Sequence, residues 1–396
     1  MPKVNPEILV WARETAGLTV EEAAGKLRIQ ASSKGSPVDR LAGMESGKEE
    51  PTRSMLSKMA KQYRRPAILF YLPYKPKEDS PLPDFRALPA QPVDKRKEAL
   101  LNALVRDMRV RQSILRAAME DDEEEDLEPA AFVGSCRMKD GKSRVLEALK
   151  SVLDMELTEY RKLKKGGKAF QLLRSKAEEA GAFVLMAGNL GSHHTQLDLD
   201  VFRGFCLADE VAPFIVINPL DAKTAHSFTL LHEMTHLLLG NSGVSSVYSG
   251  GEVEQFCNSV AGEYLLPSEE MNELKIRKEA GFHDLTKRIE AFADERCLSP
   301  SMVAYKALLL KRIESGDFSR LRKHYRNEWE KKREERREEA KKKKPKVNQN
   351  NVRKSLLGAS LIEQVRQLTQ SGALSTVRAG QVLGVHPLKA HLLFDS

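Results

Sequence analysis

The 396-residue chain lacks the features that mark membrane proteins and disulfide-rich secreted proteins. No apolar run approaches the roughly 18 residues of a membrane span, and the first residues carry charges where a signal peptide has an apolar core. The four cysteines are scattered, and no two of them form a CxxC pair. This spacing argues against a cysteine metal site or a disulfide framework and suits a reducing compartment. We therefore expect a cytoplasmic protein with no membrane partner.

Most of the chain also lacks an excess of either charge. The net charge is +8, but residues 320–346 alone hold 14 Lys/Arg and 6 Glu, so the remainder is neutral. The basic excess is thus confined to one segment and does not mark the domains as nucleic-acid binders. Because glutamates are interleaved with the basic residues, a solvated helix is favoured there. The lysine block at 341–344 leaves nonspecific contact with phosphates as the alternative.

The stretch SFTLLHEMTHLLLG, residues 227–240, places ionisable side chains inside an otherwise apolar segment. On a helix, His232 and His236 lie one turn apart on one face, the spacing at which two imidazoles can bind one zinc ion. Glu233 can accept a proton from water without binding the metal itself. Because the helix is apolar nearly all round, it must be buried, and its histidines need a partner. We predict one zinc ion per chain, with Glu233 as the catalytic base.

The third zinc ligand is expected on the next predicted helix, in the sequence GGEVEQFCNSVAGEYLLP. Its apolar residues recur at helical spacing, and Glu254 lies beside that apolar face. Glu252 is two residues back, which is roughly 200° around a helix and nearer the frayed end. We choose Glu254 as the third ligand and keep Glu252 as the alternative.

These two helices resemble the ImmA/IrrE family of zinc metallopeptidases. Residues 228–236 match the Phe-Thr-x-x-His-Glu-x-x-His pattern of that family. Glu254, Asn258 and residues 265–267 match its Glu-x-x-Ala-Asn helix, which ends in Leu-Leu-x-Pro, with Cys257 in place of the usual alanine. The resemblance covers about residues 181–310. It implies a zincin-like peptidase that hydrolyses a protein substrate, for example a small helix-turn-helix repressor.

Two details of the catalytic site are left open by the sequence. We expect the strand FIVI, which ends near Asn218, to be an edge strand that holds the substrate in extended form. A further donor to the developing oxyanion is suggested by residue type alone, with four candidates: His193, His194, His226 and Tyr264.

The first 75 residues are predicted to be short helices, and they resemble the Xre/Cro-type helix-turn-helix domain. The family's Glu-x-Gly-x-x-x-Pro loop is matched by Glu45, Gly47 and Pro51. The resemblance implies that the helix at about residues 36–44 reads base edges in the major groove. The candidate DNA contacts are Lys34, Ser36, Arg40 and Lys48. The alternative is a module for packing or protein recognition.

The sequence therefore predicts a mostly α-helical protein with a small β-sheet, an α+β fold. Three strands are expected between residues 181 and 219. The predicted segments are a helix-turn-helix domain at 1–75, a proline-rich connector at 76–95, a helical segment with an acidic loop at 96–180, a peptidase core at 181–312, a basic exposed helix or linker at 313–350 and a helical C-terminal region at 351–396.

A zinc-dependent regulatory endopeptidase is the predicted function, and two other functions stay open. One is a DNA-binding regulator whose zinc domain senses a signal, which tighter binding to an operator without any cleavage would indicate. The other is a toxin-antitoxin type of partner binding, which a stable complex without turnover would indicate. Oligomer formation is compatible with each of them.

Overall fold

The fold is described from a computed structural model of the chain. It covers residues 3–33, 35–76, 94–122, 130–245, 251–276, 281–343 and 348–394. Within these residues the protein is mostly helical with one small sheet, which confirms the predicted α+β class. No helix in these ranges combines the length and apolarity needed to cross a bilayer. The proline-rich connector and the predicted acidic loop lie largely outside the described residues.

The described α-helices follow the capping signals of the sequence at several ends. Thr19 and Glu22 form the predicted capping box, and Ser375 and Gly384 bound a helix as predicted. The helices are α1 (Pro6–Thr15), α2 (Val20–Leu27), α3 (Pro37–Glu45), α4 (Arg53–Tyr63), α5 (Lys95–Glu120), α6 (Lys142–Leu153), α7 (Leu157–Lys162), α8 (Gly166–Glu179), α9 (Lys223–Leu238), α10 (Glu252–Leu265), α11 (Phe282–Glu295), α12 (Pro300–Leu309), α13 (Ser315–Lys343), α14 (Gln349–Leu357), α15 (Ala359–Gln370) and α16 (Thr376–Leu383).

The sheet contains the three predicted strands and a fourth that the sequence did not reveal. The strands are β1 (Phe183–Met186), β2 (Gly204–Leu207), β3 (Phe214–Ile217) and β4 (Gly243–Ser245), in the order β1-β3-β2-β4. β1 pairs parallel to β3, whereas β2 runs antiparallel to both β3 and β4. β3 is therefore a central strand, and the prediction that it lies at the edge of the sheet is wrong.

The chain divides into two compact units, and each is described by itself. The first takes in residues of 1–82, 89–108 and 189–201. Its core is built by α1 to α4, with Ile8, Leu41 and Met59 fully buried. The buried guanidinium of Arg13 pairs with Glu45 at 2.8 Å and so ties α1 to α3.

The second unit holds the sheet and α6 to α16. One hydrophobic core joins residues of α6, α8, β1, β3, α9, α10, α11 and α12. α9 lies against β2, β3, α8 and α10, which explains why it is apolar on nearly all sides. This packing places the middle of α9 in the interior of the unit.

The C-terminal end of α10 is held by an ion pair that we expect to make stability depend on pH. The Glu263 carboxylate accepts hydrogen bonds from the backbone and hydroxyl of Ser268, at 2.7 and 2.8 Å, and from Lys306 at 3.1 Å. Burial by itself would raise the pKa of Glu263, but these partners outweigh it and lower the pKa to about 2. The folded-state pKa therefore lies below the unfolded-state value near 4.5.

Replacing Glu263 by glutamine is expected to lower the free energy of unfolding by about 1–2 kcal/mol at neutral pH, after allowing for screening by solvent. Because the pKa is depressed on folding, this contribution is complete above the unfolded-state pKa and is lost as the pH falls toward 2. Urea unfolding of both proteins between pH 7 and pH 3.5 measures the effect. A difference that stays constant across this range would contradict the assignment.

Candidate metal centre

The middle of α9 presents two imidazoles on one face. His232 and His236 are buried and one helical turn apart, and their ring centroids are separated by 4.8 Å. The ring of Phe228, one turn earlier, stacks on His232 with centroids 6.4 Å apart. The helical spacing read from the sequence thus places both rings side by side in the interior.

The C-terminal end of α9 is fixed by a Schellman motif just beyond the second histidine. Gly240 has φ +67°, which suits glycine, and its N–H donates to the carbonyl of Leu237. The Asn241 N–H donates to the carbonyl of His236 at 2.9 Å. A Cβ on Gly240 would also lie 3.2 Å from the Cα of Gly134, so two chain segments meet closely there. These contacts hold the helix end that carries His236.

α10 brings a carboxylate to the two imidazoles. Glu254 is fully buried, with Oε1 2.7 Å from Nε2 of His236 and Oε2 3.2 Å from Nε2 of His232. The two Nε2 atoms are 3.1 Å apart. Among the described residues, these three form the cluster suited to a metal ion, with one ligand atom from each within 4.8 Å of the others. Glu252, the alternative ligand, is exposed at the start of α10 and lies outside the cluster.

The electrostatics of this cluster favour an ionised Glu254. Burial raises the pKa of this carboxyl, but hydrogen bonds from His232 and His236 outweigh burial and lower the pKa to about 2. Burial lowers the pKa of both imidazoles. For His232 the hydrogen bond with Glu254 and the charge of Glu233 reverse this effect, so its pKa is raised. A carboxylate buried between two imidazoles suits a bound cation.

Glu233 points away from the cluster face toward β2. It is fully buried, and a Cβ placed on Gly204 would lie 2.8 Å from its Oε1. The Cys206 thiol is also fully buried and hydrogen-bonds the Glu233 carboxylate. Sequence reasoning missed both neighbours because they are about 30 positions away along the chain. The signal that was available is the alternation of a strand, which puts residues 204 and 206 on one face.

The four residues proposed by type as oxyanion donors lie elsewhere or outside the description. His226 is buried on α9 beside the Phe170 ring, six residues before His232 and so on another face. The Tyr264 hydroxyl donates to the Met155 carbonyl at 3.5 Å. His194 is exposed and belongs to the first unit, and the side chain of His193 is outside the described set.

The predicted DNA contacts occupy different environments. Ser36 caps α3 and forms a capping box with Asp39. Arg40 pairs with Glu49 at 2.9 Å and donates to the Gln30 carbonyl. Lys48 is exposed, and Lys34 lies outside the described residues. Arg40 would therefore have to leave Glu49 in order to read a base.

Comparison with known proteins identifies one family. Residues 187–306 match the peptidase M78 family model, described as the IrrE N-terminal-like domain. The matched segment is less than a third of the chain and includes all of α9 and α10. No curated protein and no solved structure matches the chain. The match supports the resemblance to the ImmA/IrrE family over this segment and points to a peptidase.

Proposed function

We propose that the chain is a zinc-dependent endopeptidase that cleaves a partner protein. The observation that carries the proposal is the convergence of His232, His236 and Glu254 beside Glu233 in the interior of the peptidase-like segment. The family match over residues 187–306 supports the same conclusion from the sequence side.

The donor set fits zinc better than other common metal ions. Two imidazole nitrogens and one carboxylate oxygen are the protein ligands of a catalytic zinc site. Calcium and magnesium take oxygen ligands, and the four cysteines are free and absent from the cluster. The ligand atoms come from two adjacent helices that are fixed at their ends. The proposed site therefore needs little rearrangement to hold a metal.

In the proposed reaction, each residue of the chain has one role. Zinc bound by two histidines and a glutamate supplies a Lewis acid that polarises a carbonyl and makes water acidic near neutral pH. His232, His236 and Glu254 hold that ion and fix its orientation. Glu233 accepts the proton of the attacking water and then gives it to the leaving amine. The buried position of Glu233 keeps this proton away from bulk solvent.

The substrate is proposed to bind in extended form along β4. Among the described strands, β4 lies at the edge next to β2, so one side of its backbone can pair with an added strand. Its register with β2 pairs Cys206 with Gly243 and Phe205 with Val244, beside the part of β2 that contacts Glu233. Backbone pairing there would bring a peptide bond close to the candidate centre. This assignment replaces the central strand β3 that the sequence suggested.

The substrate class proposed here is a protein, with a small helix-turn-helix repressor as the first candidate from the family resemblance. Free, buried cysteines support a cytoplasmic setting for this reaction. DNA binding by the first 75 residues stays a prediction, in which Lys48 would contact phosphate. A Lys48→Ala variant that leaves affinity for duplex DNA and its salt dependence unchanged would count against it.

The proposed function is tested by searching for new protein ends. Zinc-loaded protein and its Glu233→Gln variant are incubated with a lysate of the cells that produce the protein, and new N-termini are labelled and sequenced. We expect a small set of N-termini that appear with the wild type and not with the variant. If both samples give the same N-termini, the peptidase proposal fails. The DNA-binding and partner-binding functions would then be favoured.

A further inference from the structure

The carboxylate of Glu233 is enclosed by the face of β2 that carries Gly204 and Cys206. A Cβ on Gly204 would lie 2.8 Å from Oε1 and 3.3 Å from Cγ of Glu233, and 2.7 Å from Cγ2 of Thr229. Side-chain carbons do not approach other atoms this closely without displacement. The backbone of Gly204 does not have positive φ, so this glycine is required by space rather than by conformation.

Cys206 contributes a hydrogen-bond donor from the same face of the strand. Its thiol is fully buried and hydrogen-bonds Glu233, and its sulfur is 3.3 Å from the carbonyl oxygen of Asn241. Burial and the charge of Glu233 raise the pKa of this thiol well above its usual value, so it stays protonated and able to donate.

The two acceptors of the thiol suit a carboxylate that gains and loses a proton. While Glu233 is ionised, its negative charge is the stronger acceptor for the S–H group. When Glu233 holds a proton, the Asn241 carbonyl remains within reach, so the buried donor keeps a partner. Asn241 is itself fixed to the His236 carbonyl at the end of α9. The thiol therefore links Glu233 to the same helix end that carries a candidate ligand.

We propose that Gly204 and Cys206 are positioning residues for Glu233, the glycine by leaving room for the carboxylate and the cysteine by donating a hydrogen bond to it. The contact itself is independent of the enzyme assignment, whereas its effect on catalysis rests on the proposed peptidase function. The competing explanation is that Cys206 is a small apolar residue that only fills space.

Variants at both positions separate these explanations when assayed on a peptide spanning a bond that the wild type cleaves. We expect Gly204→Ala to retain zinc and to lower kcat by about 10²-fold with little change in KM, because the carboxylate is displaced. Cys206→Ala should lower kcat about tenfold, the effect of losing one hydrogen bond to a charged group. Cys206→Ser should recover to within about threefold of the wild type.

A role in packing alone predicts the reverse order at residue 206. Alanine would then be tolerated, and serine would be the worse replacement because it buries a hydroxyl group among apolar atoms. Matched controls are Cys136→Ser, another buried cysteine, and Gly316→Ala, where an added Cβ meets nothing within 4 Å. Both controls should keep the kcat and zinc content of the wild type.

A second measurement tests the contact even if no substrate is found. Cys206→Ala is made in the wild type and in a Glu233→Gln background, and the melting temperatures of the four proteins form a double-mutant cycle. We expect a loss of about 2–4 °C in the wild type and less than about 1 °C in the Gln background. Equal losses in both backgrounds would overturn the proposed contact. Failure to find any cleavage would overturn only the peptidase function.

Discussion

Replacing Glu233 by glutamine is expected to lower kcat for peptide hydrolysis by about 10²–10⁴-fold while the zinc content stays near one ion per chain. Glutamine has the shape of glutamate and can fill the space beside Gly204, so the fold and the metal cluster should be preserved. It cannot accept a proton from water, so the reaction loses its general base. Zinc analysis of the purified proteins and rates on the identified substrate measure the two effects separately.

The matched control for this variant is Glu147→Gln, the same chemical change on the exposed face of α6. It should retain the rate and the zinc content of the wild type. Loss of zinc in the Glu233 variant would mean that Glu233 binds the metal rather than serving as the base. A rate within a few-fold of the wild type would remove Glu233 from the proposed mechanism.

Local patterns in the sequence were sufficient to locate the helices that form the candidate centre. The spacing of His232 and His236 requires only that their segment be helical, and its apolar composition requires that it be buried. Glu254 was preferred to Glu252 because of its place beside an apolar stripe, and the structure brings Glu254 to the imidazoles. Each of these inferences depends on neighbours within a few residues.

Contacts between distant segments explain what the sequence did not reveal. β4 has three residues and no clear strand composition, and pairing with β2 stabilises it as a strand. The order β1-β3-β2-β4 differs from the order along the chain, so the edge position was assigned to the wrong strand. The partner of Arg40, Glu49, follows from the packing around α3 rather than from any local motif.

The position of Glu254 leads to the second large expected effect, on metal binding. His232 and His236 belong to one helix, and Glu254 is the ligand candidate that α10 contributes. A zinc site with only two protein ligands has lost the geometry that distinguishes a stable site from adventitious binding at a histidine pair. The affinity should therefore fall by more than the roughly 10–100-fold that follows loss of a residue supporting a ligand.

We accordingly expect Glu254→Ala to weaken zinc binding by more than about 10²-fold, whereas Glu252→Ala should leave it unchanged. The two positions are on the same helix and carry the same side chain, but one carboxylate is buried against both imidazoles and the other is exposed. Competition of each purified protein with a zinc chelator of known affinity measures the difference. Equal zinc affinity in the two variants would mean that the metal, if bound, is not held between α9 and α10. A fall only in the Glu252 variant would assign the third ligand to the exposed end of α10, which would require that end to rearrange when the metal binds.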